Sequence, residues 1–186
     1  FGLLLESCRK NWDNPELPFG FVQLSSINRP SWPRFRDSQR RMLEQYPAVG
    51  MAVCSDLGHP SNVHPVRKQE VGERLAAWAL NGPYGRLDVV PSGPLYRSAE
   101  FSNGKAVISF SYGEGLKADG EKLAGFELSG DDGLFHEAEA RIEGDKVVLR
   151  SDKVPQPSAA RYGWQPYTEA NLVNGAGFPA STFLTD

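Results

Sequence analysis

Cysteine is scarce in this chain of 186 residues, which has two, Cys8 and Cys54. Two thiols provide neither the ligand spacing of a metal site nor a disulfide framework, so neither device is expected to hold the fold together. Cys8 lies on a helical pattern and Cys54 ends an apolar segment. We expect both to be buried free thiols, which leaves the redox compartment open.

Long apolar runs and blocks of like charge are also absent. No segment approaches the roughly 18 apolar residues of a membrane-spanning helix. The net charge of −3 is spread over interspersed acidic and basic residues. Neither a nucleic acid nor a membrane is therefore expected as a partner.

An initiator methionine is missing too, because the chain begins with Phe1-Gly2-Leu3. The first residues lack the basic region and the cleavage site of a signal peptide, and Glu6 and Arg9 interrupt the apolar stretch. We expect Phe1 to lie in the interior of a longer polypeptide. The alternative is a processed mature terminus.

The residues present are enough for one ordinary domain or two small ones, with 40% of them hydrophobic and 23% charged. Up to about residue 90 the chain alternates helical and strand patterns. The predicted helices cover 2–12, 34–46 and 66–80, and the predicted strands cover 19–24 and 49–54. This order favours a parallel sheet covered by helices. Two strands are few for a complete doubly wound domain, so half a domain is expected to be missing upstream.

Apolar stripes on these helices predict which side chains enter the core. The predicted core positions are Leu4, Leu5, Cys8, Trp12, Phe35, Met42, Tyr46, Val71, Leu75, Trp78 and Ala79.

The pattern changes after about residue 91, where short alternating segments are separated by turn residues such as Asp119-Gly120 and Glu143-Gly144-Asp145. The predicted strands cover 106–110, 123–128, 138–142, 146–150 and 159–164. Strands spaced in this way predict antiparallel hairpins and a small β-sandwich. We therefore divide the chain into an α/β domain over 1–90 and a β-sandwich domain over 91–186.

The most unusual segment is the loop 55–65, which holds Asp56, His59 and His64 directly after a predicted strand. Sites in open parallel sheets gather in loops beyond the carboxyl ends of the strands. A histidine there suits a general base, and a carboxylate can fix its tautomer. Two alternatives stay open at this point. His64 can simply cap or pack the following helix, or the two histidines can bind a metal, although no third ligand is clustered with them.

A series of short motifs runs in order along nearly the whole chain. These motifs are Pro18-Phe19, Val22-Gln23-Leu24, Arg36 with Gln39, Asp56-Leu57-Gly58, His64-Pro65, Lys68, Val71 to Ala76, Ala79-Leu80, Tyr84-Gly85, Gly125-Phe126, Arg161-Tyr162 with Trp164, Asn171-Leu172 with Asn174, Pro179-Ala180 and Phe183. In this series the chain closely resembles the sialate O-acetylesterase family.

The resemblance implies an α/β fold in which 1–90 form the C-terminal half of an SGNH-type hydrolase domain, followed by β-sandwich elements. It implies hydrolysis of O-acetyl esters on sugars through a Ser-His-Asp type site, with His64 as the catalytic base and with no cofactor or metal. Many relatives carry an acidic residue two or three positions before this histidine, where this chain has Ser61 and Asn62. Asp56 is the substitute expected for the third catalytic residue, and a role in stabilising the loop is its alternative.

The nucleophile of the family lies in a Gly-Gln-Ser-Asn type motif that this chain lacks. Ser25 and Ser26 follow a predicted strand, but they lack the flanking glycines of a nucleophile elbow. We therefore expect the serine and the oxyanion donors to come from an N-terminal part of the protein. Trp32 and Arg36 are considered for the lining of the sugar pocket, with packing or a surface contact as the alternative for Trp32.

The sequence thus predicts a carbohydrate O-acetylesterase, a serine-type carboxylic ester hydrolase that is incomplete as this chain alone. Its expected partners are an O-acetylated sugar, such as sialic acid or acetylated xylan, and the N-terminal part. A secreted, periplasmic or lysosomal location follows by analogy with the family. The alternative function is a non-catalytic carbohydrate-binding or assembly module, because the β-rich half carries aromatic residues that glycans could contact.

Overall fold

The structure is a computed structural model that describes residues 1–185; Asp186, the last residue of the predicted second domain, lies outside the described residues. Within residues 1–185 the helices are α1 (Gly2–Asn11), α2 (Trp32–Gln45) and α3 (Lys68–Asn81). The strands are β1 (Phe19–Val22), β2 (Val49–Ala52), β3 (Leu95–Ser102), β4 (Lys105–Ser111), β5 (Lys117–Ala118), β6 (Phe126–Ser129), β7 (His136–Glu137), β8 (Glu139–Glu143), β9 (Lys146–Arg150), β10 (Ala159–Tyr162), β11 (Leu172–Val173) and β12 (Phe183–Leu184). No helix in this part of the chain is long and apolar enough to cross a membrane.

Strands β1 and β2 form a parallel pair, in register from Phe19 opposite Val49 to Val22 opposite Ala52. Helix α2 packs on one face, where Met42 and Leu43 join the apolar cluster around the two strands. Helix α3 covers the other face, where Val71 and Leu75 pack on a second cluster that includes Ala52. Because the pair has helices on both faces, the predicted parallel α/β layering is confirmed at this level.

Trp78 of α3 lies flat against the parallel pair, at a point where both strands carry glycine. Gly20 and Gly50 are register partners. A Cβ atom at Gly50 would lie 1.9 Å from Trp78 Nε1, and one at Gly20 would lie 2.6 Å from Trp78 Cζ3. The indole ring therefore occupies the space that two side chains would otherwise fill, which brings α3 close to the sheet.

The second half of the chain is built from antiparallel sheets, as predicted. One four-stranded sheet has the order β3-β4-β9-β8, another has the order β12-β10-β6-β7, and β5 pairs with β11. Buried side chains from both four-stranded sheets form a single apolar cluster, which includes Ile108, Leu149, Leu128, Tyr162 and Phe183. Buried residues alternate with partly buried or exposed residues along β4 and β9, which explains why both strands were predictable.

Several predicted core positions are not in the core. Leu4 is 56% exposed, Trp12 68% and Phe35 57%, whereas Leu5 is fully buried. These predictions were wrong because a helical stripe shows that a face is apolar without showing what covers it. Both cysteines are free as expected, but Cys8 is only partly buried while Cys54 is buried.

Candidate functional site

The two loops that follow β1 and β2 lie side by side at the carboxyl edge of the parallel pair. Three hydrogen bonds join them: the His59 amide donates to the Ser26 carbonyl (3.1 Å), the Asn28 amide donates to the Pro60 carbonyl (3.1 Å), and Ser26 Oγ donates to the Ser55 carbonyl (2.7 Å). The predicted parallel pairing implies this arrangement, because parallel strands end on the same side of a sheet.

Gly58 allows this close approach. A Cβ atom at this position would lie 2.1 Å from the Ser26 carbonyl oxygen and 2.4 Å from Ser26 Oγ. Any side chain at residue 58 would therefore push the histidine loop (residues 55–65) away from the loop after β1. Ser26 is buried and its hydroxyl is used in this contact, which agrees with the expectation that it is not a nucleophile.

His64 lies on the surface of the histidine loop, directly before α3. Its backbone amide donates to Asn62 Oδ1 at 2.9 Å. Within residues 1–185 its imidazole makes no hydrogen bond, and the residue is exposed. The ring is therefore accessible to a group that approaches this edge of the sheet.

His59 has a different role from His64, although both lie in the same loop. Its Nδ1 atom accepts hydrogen bonds from the backbone amides of Ser61 (3.2 Å) and Asn62 (3.0 Å). Nδ1 is therefore the atom through which this ring is bonded to the backbone of its own loop. His59 thus shapes the loop. The described residues contain no group of three or more His, Cys, Asp or Glu side chains placed to hold a metal ion.

Asp56 lies in a 3-10 turn (Ser55–Leu57) that follows β2, and it pairs with Arg74 of α3. Both of its carboxylate oxygens accept from the guanidinium at 2.7 Å. Arg74 Nη1 also donates to the carbonyl of Val53 (2.6 Å). Burial acts to lower the pKa of Arg74, but the hydrogen bonds and negative charge of Asp56 outweigh it and raise that pKa above its ordinary value.

The structure does not join Asp56 to His64 within the described residues. The partner that it gives Asp56, Arg74, was not singled out from the sequence. The available signal was a cation on the face of α3 that also carries Val71 and Trp78, three positions before it and four positions after it.

Arg36 was considered for the lining of the sugar pocket, but it is completely buried. Its guanidinium donates to Thr182 Oγ1 and to the carbonyls of Gly163, Gln165 and Pro166. Loss of hydration lowers the pKa of Arg36 to about 10. Trp32 is partly buried, and the Arg29 guanidinium lies 5.3 Å from its ring centroid.

Comparisons with known proteins give one consistent result, although no family model matches the chain. The chain is 29% identical over 126 residues to the sialate O-acetylesterase of Rattus norvegicus, which is 60% of this chain and 23% of that protein. The human enzyme of the same name is also 29% identical over 126 residues, or 24% of its length. The crystal structure of a carbohydrate acetylesterase from Xanthomonas citri superposes with a TM-score of 0.92 at 39% identity, over 98% of this chain and 44% of that one.

The chain therefore spans about a quarter of the length of its curated relatives and less than half of the solved structure. These findings confirm the predicted resemblance to the family and the mixed α/β architecture that accompanies it.

Proposed function

We propose that this relative of the sialate O-acetylesterases is the histidine-bearing part of a carbohydrate O-acetylesterase, a serine-type ester hydrolase. The observation that carries the proposal is the exposed imidazole of His64, which lies at the carboxyl edge of a parallel sheet. The acetylesterase names of the relatives supply the substrate class, an O-acetylated sugar. By the same analogy we propose a secreted, periplasmic or lysosomal location.

In this proposal residues 1–90 are the C-terminal half of an SGNH-type hydrolase domain, and 91–186 form a β-sandwich. An N-terminal part outside these 186 residues supplies the nucleophilic serine and the oxyanion donors. Exposed apolar side chains on and near α1 support this proposal, because the N-terminal part would cover them. They are Phe1, Leu3, Leu4 and Trp12.

The edge of β1 that faces away from β2 also supports this proposal, because it can pair with a further strand. The amide of Phe19 donates to the carbonyl of Ala48, just before β2, and the amide of Gln23 donates to the carbonyl of Ala52 in β2. Because alternate residues of a strand face opposite edges, the backbone groups of Gly20 and Val22 point away from β2. The side-chain amide of Gln39 covers only the end of that edge, where it bonds the Val22 carbonyl (3.2 Å) and the Leu24 amide (2.8 Å). A further parallel strand can pair along the part that begins at Gly20.

His64 takes the proton of the serine hydroxyl as that oxygen attacks the acetyl carbonyl carbon. The tetrahedral oxyanion is held by donors of the N-terminal part. The imidazolium of His64 then gives its proton to the departing sugar oxygen, which leaves an acetyl-serine. Water, deprotonated by His64, then attacks this ester, and His64 returns the proton to the departing serine oxygen as acetate is released.

Asp56 is proposed as the carboxylate that orients His64. Arg74 fixes the position of both oxygens through one hydrogen bond to each. A carboxylate oxygen can accept a second hydrogen bond, and the Asp56 side chain is 27% exposed. One lone pair per oxygen therefore remains for an imidazole N–H. A movement of residues 61–64, whose hydrogen bonds among the described residues are local, would bring His64 to Asp56 and complete the pair.

The test uses the full-length polypeptide that contains this chain and p-nitrophenyl acetate as substrate. We expect His64→Ala to lower kcat/KM by roughly 10³-fold or more, because the serine loses its general base. His136→Ala is the matched control, because that histidine lies on β7, and we expect it to retain the wild-type rate. Wild-type activity in His64→Ala would refute the proposal and would favour the alternative of a non-catalytic carbohydrate-binding or assembly module.

A further inference from the structure

The buried guanidinium of Arg36 ties the α/β half of the chain to a loop of the β-rich half. Its bonds to the carbonyls of Gly163 (2.9 Å), Gln165 (2.7 Å) and Pro166 (3.0 Å) gather this loop around one planar cation. Its Nε donates to Thr182 Oγ1 at 2.9 Å. Within residues 1–185 no carboxylate pairs with Arg36, so its charge is balanced by neutral oxygen atoms alone.

The same loop is bonded to the candidate site. The Pro166 carbonyl accepts from Arg36 and also from the amide of Ile27, at 3.1 Å. Ile27 follows Ser26, whose hydroxyl and carbonyl hold Ser55 and His59 of the histidine loop. A continuous series of hydrogen bonds thus runs from Arg36, through the Pro166 carbonyl and the loop after β1, to the loop that carries His64.

We propose that Arg36 is a positioning residue for the hydrolytic site, and that the β-rich half holds the histidine loop in place through it. This inference rests on the function proposed above. A buried cation without an anionic partner is costly, and a planar fork of donors is needed to collect three carbonyls at once. Lysine, with a compact ammonium group, cannot reproduce that arrangement.

The experiment measures steady-state hydrolysis of p-nitrophenyl acetate by the full-length polypeptide, at a temperature where each variant is folded. We expect Arg36→Lys to lower kcat about tenfold to a hundredfold, because a small displacement of the general base is enough to cause such a loss. KM should change less than about threefold, since Arg36 contacts no substrate.

Arg41→Lys is the matched control. Arg41 lies on the same helix and also reaches the β-rich half, but at the Leu184 carbonyl (3.0 Å) rather than at the loop of Pro166. We expect this variant to keep kcat within about twofold of the wild type, even if its stability falls. A drop in kcat for Arg36→Lys of less than twofold, or an equal drop in both variants, would overturn the inference.

A double-mutant cycle separates positioning from a general loss of stability. Ser26→Ala removes the hydroxyl that bonds the Ser55 carbonyl, which lies farther along the same series. If both residues act through the same series of hydrogen bonds, the effects on kcat will not be independent. The kcat of the double variant with Arg36→Lys should then fall by a smaller factor than the product of the factors for the two single variants. Losses that multiply would show independent effects and would overturn the inference.

Two further measurements keep the result decisive. If Arg36→Lys does not fold, Thr182→Val takes its place in the cycle, because it removes the hydroxyl that accepts from Arg36 Nε and donates to the Gly163 carbonyl (3.2 Å), and so loosens the contact between Arg36 and this loop. His64→Ala is assayed in parallel. Retained activity in His64→Ala would refute the proposed function, whereas inactive His64→Ala with normal kcat in the Arg36 or Thr182 variant would refute only the positioning role.

Discussion

Replacing Gly50 with alanine should destabilise the protein strongly, because the new methyl group has no room. Its carbon would lie 1.9 Å from Nε1, 2.1 Å from Cε2 and 2.2 Å from Cδ1 of Trp78. These distances are far below van der Waals contact, and the obstacle is a rigid ring between a sheet and a helix. Overpacking of this kind costs about 1–3 kcal/mol and occasionally more. We expect a loss of about 3 kcal/mol in the free energy of unfolding.

Gly72 provides the matched control, because it is a glycine of α3 where an added Cβ meets no atom within 4 Å. There the same change should stabilise the helix by about 0.5–1 kcal/mol. Equilibrium urea unfolding of the full-length polypeptide measures both effects. With a slope of about 2 kcal/mol per molar urea, Gly50→Ala should lower the midpoint by about 1.5 M.

The cause of the Gly50 effect can be tested through its partner. In a Trp78→Leu background the ring is gone, so Gly50→Ala should cost less than about 1 kcal/mol, and the two changes should be strongly non-additive. An unchanged midpoint for Gly50→Ala in the wild-type background would refute the reasoning. So would a loss of the same size in both backgrounds, because the ring would then not be the obstacle.

Two other predictions concern the site and its neighbouring thiol. If the carboxylate of Asp56 orients His64, Asp56→Asn should lower kcat/KM for p-nitrophenyl acetate by as much as about 10⁴-fold. If Arg74→Gln causes an equal loss of kcat/KM and also lowers the urea midpoint of unfolding, Asp56 and Arg74 instead form a structural ion pair. Burial raises the pKa of the Cys54 thiol from its ordinary 9.0 to about 11, so Ellman's reagent at pH 8 should modify Cys8 before Cys54. Because the folded pKa is the higher one, the contribution of Cys54 to stability is present below about pH 9 and is lost as the pH rises through 11. A Cys54→Ser variant should lack this loss in urea titrations at pH 8 and pH 10.5, and equal pH dependence in both proteins would contradict the assignment.

The helices and the parallel strands were predictable because their signals are local. The helix predicted over 34–46 is observed as Trp32–Gln45, and the helix predicted over 66–80 is observed as Lys68–Asn81. Strand β3 was not predicted over Leu95–Ser102, because its apolar alternation is weak and none of its residues is fully buried. It is ordered by pairing with β4 along its whole length, and a sequence pattern does not reveal such pairing.

The environment of Arg36 depends on residues that are far away in the sequence. An arginine near the start of a helix, after a loop at the end of a strand, is typical of a substrate pocket, and this was the basis of the prediction. Its acceptors lie 127 to 146 positions further along the chain. No periodicity records such contacts, so the burial of this cation could be learned only from the fold.

The first part of the histidine loop is hydrogen-bonded to neighbouring elements, whereas its last part is exposed. This difference explains which part of the site the sequence could predict. From Ser55 to Pro60 it is bonded to the loop after β1 and, through Asp56, to Arg74. From 61 to 64 its hydrogen bonds within the described chain are local, to His59 and Asn62. A strand followed by a loop with two histidines is a local signal, so the position of this loop after β2 was predictable, whereas the role of His64 stays a prediction. The direction of the His64 ring depends on whatever contacts the exposed end, and in the proposed enzyme those contacts come from the serine and its flanking segment. If the proposal holds, the geometry of the pair formed by Asp56 and His64 is set jointly by residues inside and outside these 186, which is why the sequence of this chain alone could not establish that pair.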